Sequence, residues 1–192
     1  MQKFYYNENS KMTGLLKLLT GVLEKFNSRD YNTQIALLSY LDESIKIYND
    51  LGRIQRESEL QLLKAEIITA QRGISPITFE KKTINRHEME NTISFKVLQS
   101  SEQQLRSDIL ENENTLKQAK DLVSQIIVAS IQLDLLNTDK INAIKTSKDI
   151  DDLWVNIGAD ANINLGQKRV LLIVSKYDAL LLFEDLLSSI KS

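Results

Sequence analysis

Pro76 is the only proline in the chain, and six glycines are the only other strong helix breakers in 192 residues. Inside a helix proline costs about 3 kcal/mol and glycine about 1 kcal/mol relative to alanine, so a chain with so few of them is expected to run in long helices. The breakers then mark the boundaries.

The first helix is expected at about 10–27, where Met12, Leu15, Leu16, Leu19, Val22, Leu23 and Phe26 recur at three- and four-residue steps. Gly14 and Gly21 share nearly the same azimuth on it, as if to admit a second helix closely. From Asp30, a good N-cap, to Arg72 no proline intervenes. Tyr31, Leu38, Leu41, Ile45 and Tyr48 keep a heptad-like step. The stripe slips at Gly52 and the charged run "RIQRESE", then resumes at Leu60, Leu63, Ile67 and Ala70. Either one helix over 30–72 carries a phase change or two helices meet near Gly52, and the single helix is the favoured reading.

The clearest periodicity begins at Leu98. Leu98, Leu105, Asn112 and Ile126 take one set of positions, and Ile109, Leu116 and Val123 take the companion set, so that the steps alternate between four and three. These residues form a packing seam. A helix over 98–136 would be about 58 Å long, more than the width of a compact domain of this size. Asn112 on the seam suggests a polar contact that fixes register. The glutamine-rich flank favours packing inside one chain over a parallel coiled-coil dimer. Further on, "TDKINAIKT" can make two turns, and Ser147 starts a capped short helix stopped by Gly158. "ADANINLG" reads as loop, and a last helix over about 167–190 is apolar nearly all round.

The expected fold is therefore all-α: an elongated helical bundle with two long antiparallel helices, about 30–72 and 98–136, joined by 73–97. A single domain over 1–192 would take its core from 10–27, 115–136 and 167–190, and its stalk and tip from about 50–115. The joining stretch holds the lone proline and the lone histidine. Ile77 and Phe79 alternate with polar residues there, as do Ile93, Phe95 and Val97, which suits either a short two-stranded ribbon or a loop. The third reading of this stretch starts the next helix early, near Asn85.

Chemistry has few footholds. Cysteine is absent, which excludes disulfides and thiolate chemistry. His87 stands beside Glu88 and Glu90, one histidine and two carboxylates where a catalytic metal usually takes three well-supported ligands, so a solvated turn is the favoured reading. Asp160, Asn162 and Asn164 alternate like calcium-loop ligands. The turn glycine comes one place late, however, and Leu171 stands where a bidentate glutamate belongs, so an Asx-rich helix cap is the better account. No phosphate-binding glycine motif occurs, and no cofactor is expected. Trp154 reads as a core anchor.

Lysine plus arginine (24) nearly balance aspartate plus glutamate (26), which disfavours nucleic acid as a partner. No apolar run reaches the roughly 18 residues of a membrane span, because Lys176, Asp178, Glu184 and Asp185 cut the greasiest segment. No secretory signal is visible, and the residues name no compartment. The expectation is a non-enzymatic helical interaction or structural protein that binds a protein partner or assembles with itself. Its contacts would come from the seam and a tip comprising Ile77, Phe79, His87, Ile93, Phe95 and Val97. The alternative is a membrane-acting helical protein, pore-forming or envelope-associated, that uses this tip or the amphipathic first helix.

Overall fold

A computed structural model describes residues 3–81 and 86–190. Among these residues the chain is all-helical, with eight α-helices and no strand, only an isolated antiparallel bridge between Ile74 and Lys81. The helices are α1 (Tyr5–Asn27), α2 (Thr33–Asp50), α3 (Ile54–Gln71), α4 (Arg86–Gln132), α5 (Thr138–Asn142), α6 (Ser147–Ile157), α7 (Ala161–Ile173) and α8 (Lys176–Ile190). Two compact units form, one from Ser10–Ile109 and the other from the residues before and after that span.

Within Ser10–Ile109, four helical segments share one core. Met12, Leu15 and Leu19 of α1 pack with Leu37 and Leu41 of α2, Leu60 and Ile67 of α3, and Val97, Leu98 and Leu105 of α4. Polar pairs fix the directions. Between α2 and α3, Asp42 pairs with Lys64, Asn49 with Glu57 and Gln34 with Gln71, so the helices run antiparallel. Glu66 with Lys96, Glu59 with Gln104 and Arg56 with Asp108 set α3 antiparallel to α4 in the same way. The unit is an up-down-up-down bundle, the arrangement that short connections between antiparallel neighbours produce.

The expected single helix over 30–72 is corrected to this α2–α3 hairpin. Gly52 adopts φ +68°, and a Schellman motif closes α2: Arg53 N–H donates to the Tyr48 carbonyl (2.9 Å) and Gly52 N–H to that of Asn49 (2.8 Å). Gly73 (φ +75°) ends α3 with the same pair of bonds, from Ile74 to Thr69 and from Gly73 to Ala70. Two further helices end this way without glycine. Arg29 (φ 57°) closes α1 and Asp134 (φ 55°) closes α4. A side chain in this left-handed region costs roughly 1–2 kcal/mol, so such stops carry little signal in the residue type.

The ribbon over 73–97 is likewise corrected. Its second run belongs to α4, which begins at Arg86, so helical spacing sends Ile93 and Val97 into the core while Phe95 faces out. The four residues between Lys81 and Arg86, which fall inside the expected ribbon, lie outside the described residues.

The other unit buries Ala119, Val123, Ile126 and Ile127 of α4 with Trp154, Val170, Leu182 and Phe183, and Tyr5 and Tyr6 pack against it. The core expected from 10–27, 115–136 and 167–190 together is thus two clusters, with Met12–Val22 in the bundle core and the other segments here. Trp154 packs edge-on to Phe183, ring centroids 5.1 Å apart. The expected helix over 167–190 is two helices. Val174 is extended, and the Ser175 hydroxyl both accepts from Asp178 N–H (3.1 Å) and donates to its carboxylate (2.9 Å), starting α8 afresh. The "ADANINLG" stretch is mostly helical: Asp160 Oδ1 caps α7 by accepting from Asn162 N–H (2.9 Å) and Ile163 N–H (3.1 Å). A capping box of Thr146 and Asp149 starts α6, one residue before the expected Ser147.

Candidate functional site

One end of the Ser10–Ile109 bundle gathers the C-terminus of α1, the N-terminus of α2, the C-terminus of α3 and the start of α4. A closed polar ring ties these ends together. Gln71 donates to Gln34 Oε1 (2.9 Å), Gln34 donates to Glu90 Oε2 (3.3 Å), Arg86 Nε donates to Glu90 Oε1 (2.7 Å), and Arg86 Nη2 returns to the Gln71 carbonyl. The Glu90 carboxylate is buried, and charge-assisted bonds of this kind are what make that burial tolerable.

Beside the ring lies a cleft of about 700 Å³, lined among others by Phe26, Arg29, Tyr31, Gln34, His87 and Glu90. His87 stands on its rim with Nδ1 3.5 Å from Glu90 Oε2 and its side chain 97 % exposed. Among the described residues no three metal-ligating side chains cluster. Arg29 holds its left-handed backbone at this cleft, where a glycine would turn the chain at lower cost.

The 73–81 loop leaves α3 at the same end. Ser75 organises it. Its carbonyl accepts from Phe79 N–H (2.8 Å), its N–H donates to the Glu80 carbonyl (2.9 Å), and its hydroxyl accepts from Thr78 N–H (3.3 Å). Phe79 is the third residue in left-handed conformation without being glycine (φ 57°), and its ring is 79 % exposed; Ile77 is 76 % exposed. The loop thus presents two large apolar side chains to solvent from a tightly bonded turn.

Of the six tip residues expected from the sequence, Ile77, Phe79 and His87 are exposed. Phe95 is 54 % exposed and stacks on Phe26 with centroids 6.1 Å apart; Ile93 and Val97 are core. The seam residues divide between the units. Leu98 and Leu105 lie in the bundle core with Ile109 packed against it, Val123 and Ile126 lie in the other core with Leu116 packed against it, and Asn112 is fully buried.

Sequence reasoning missed the cluster around Asp108. This carboxylate is buried and accepts from Tyr48 Oη (2.7 Å) and from Arg56 Nε (3.2 Å) and Nη2 (3.0 Å), with Arg53 Nη1 at 3.5 Å. Burial first, and then the bond to Asp108, push the Tyr48 phenol well above the ordinary tyrosine range. The signal was present: Asp108 sits on the buried face of α4, four residues before Asn112, and the run "RIQRESE" supplies both arginines. It ties the bundle's other end together and lines no cleft found here.

No family model, curated protein or solved structure matches this chain.

Proposed function

We propose that this chain is a protein-interaction module that engages a protein partner through the bundle end formed by Tyr31, the 73–81 loop and the start of α4. Phe79 carries this reading. A phenylalanine held in a left-handed turn and left in water is unfavourable twice, once in its backbone and once in its solvation, and a bound partner offsets the second cost. Arg29 on the neighbouring cleft repeats the backbone pattern. Ile77 and Phe79 would serve as apolar anchors, and the polar cleft would accept hydrogen-bonding groups of the same partner, the division of labour usual at interfaces.

The test uses the immobilised chain, its Phe79→Gly and Ile77→Ser variants, and lysate of the source cells, followed by affinity measurement on any purified partner. A protein that binds the parent and loses at least tenfold in affinity to Phe79→Gly, while that variant keeps its helical content, supports the proposal. Equal binding to parent and variants rejects it. The exposed pair Ile77 and Phe79 also keeps a membrane-acting role in view. Flotation of the parent, but not of Phe79→Gly, with neutral or anionic phospholipid vesicles would move the assignment to that role.

A further inference from the structure

We infer that the groove between α1 and α2 is a self-association surface, which joins two copies of this chain about a two-fold axis near Gly21. It shares no lining residue with the cleft described above and does not depend on the partner-binding reading.

The groove encloses about 670 Å³. Buried Val22 and Tyr40 form its floor, and Leu18, Gly21 and Ala36 stand along its sides. Leu18 is 51 % exposed, and it lies with Gly14, Gly21 and Lys25 on one stripe of α1. The sequence suggested that the two glycines admit a second helix, yet no helix of this chain occupies that space: a Cβ built at Gly14 or Gly21 meets no atom within 4 Å. Each costs helix stability against alanine with no contact in the chain to offset it.

The charges identify the occupant. Lys25 lines the groove at the end nearest the α1–α2 turn, beside Ala36, while Asp42 and Glu43 line it about two turns further along α2, roughly 10 Å away. Because α1 and α2 run antiparallel from a short turn, the midpoint of this span falls near Gly21. A two-fold axis there lays Lys25 of each copy against Glu43 and Asp42 of the other and makes two equivalent charge contacts. Leu18 of each copy then reaches the Lys25–Ala36 end of the other, and the missing side chain at the axis lets the backbones approach. A patch that is complementary to itself after a half-turn is what an isologous dimer requires. A parallel arrangement would set lysine on lysine and acid on acid, which like-charge repulsion opposes.

The test is sedimentation equilibrium of the full chain over about a hundredfold range of concentration, at low and high salt, with four variants. The expected result is a reversible dimer that weakens with salt. Lys25→Glu and Glu43→Lys should each raise the dimer dissociation constant about tenfold or more, because each change acts at both symmetry-related contacts. The double exchange Lys25→Glu with Glu43→Lys should restore it. Gly21→Leu should leave the helical content intact, since the space around it is open, and abolish the dimer. A chain that stays monomeric throughout, a dimer that survives Gly21→Leu, or a double exchange that fails to restore association would each overturn the inference.

Discussion

Asp108 and Tyr48 meet through a 2.7 Å hydrogen bond inside the four-helix bundle, and the two arginines that follow the α2–α3 turn converge on the same carboxylate. A buried charge is tolerated only when its partners are in place. Asp108→Ala leaves Arg53, Arg56 and Tyr48 facing an empty position and is expected to cost about 3–5 kcal/mol, against about 1–2 kcal/mol for Tyr48→Phe, which removes a single donor. Urea unfolding followed by far-ultraviolet circular dichroism measures both. Equal midpoints for the two variants would contradict the assignment of Asp108 as the hub.

Alkaline pH should loosen the same bundle. Burial pushes the Tyr40 phenol up to about 12, above its ordinary value of 10.0, and pushes the Tyr48 phenol up as well. Both folded values exceed the unfolded one, so their contribution is full below pH 10 and falls as the pH rises through the folded values. For Tyr40 alone the loss between pH 10 and about 12 is roughly 3 kcal/mol. Stability measured across this range should therefore decline more gently in Tyr40→Phe than in the parent.

The glycines separate by backbone angle. Gly52→Ala forces a side chain into φ +68° and should lower stability by about 1–2 kcal/mol, whereas Gly14→Ala and Gly21→Ala fill open helical positions and should raise it by about 0.5–1 kcal/mol. Thermal unfolding at a concentration low enough to keep the chain monomeric reads both signs. A Gly52→Ala variant as stable as the parent would mean that α2 and α3 can join into the single helix that the sequence favoured.

How far the sequence could be read follows from these same residues. Gly73 stops a helix where the sequence places a stop, and the buried faces of α1 and α4 follow their three- and four-residue steps. Arg29 and Asp134 stop helices invisibly, since neither residue type advertises a left-handed turn. Ser175 divides an apolar run with no glycine or proline to announce it. Ile93, Phe95 and Val97 misled because alternation and helical spacing coincide over so few residues, and the tertiary core decided between them. Asp108 escaped notice because seam counting looked for apolar residues and the buried face of α4 includes charged ones. The tip was legible as a place, while the cleft, the polar ring and the strain at Phe79 depend on helix ends that meet only in three dimensions.

The start of α1 offers another test. Asp178 is fully buried and accepts from Tyr5 N–H at 2.9 Å and Tyr6 N–H at 3.3 Å, filling two of the donors that a helix N-terminus leaves open. Asp178→Ala should cost about 3 kcal/mol, since it strands those donors and also frees Ser175. In hydrogen exchange the amides of Tyr5 and Tyr6 should lose protection before those of the α2–α3 hairpin. Uniform loss across the chain would contradict this.

That hydrogen bond joins residues 173 positions apart, and this sets an order of events during synthesis. The Ser10–Ile109 bundle is contiguous, and its mostly local helix pairs can form once α4 has emerged from the ribosome. The other unit must wait for α8, with the first turns of α1 uncapped until Asp178 arrives. A translating ribosome therefore carries a folded bundle that has one unfinished neighbour, and the late-closing unit is where a chaperone would find exposed apolar surface.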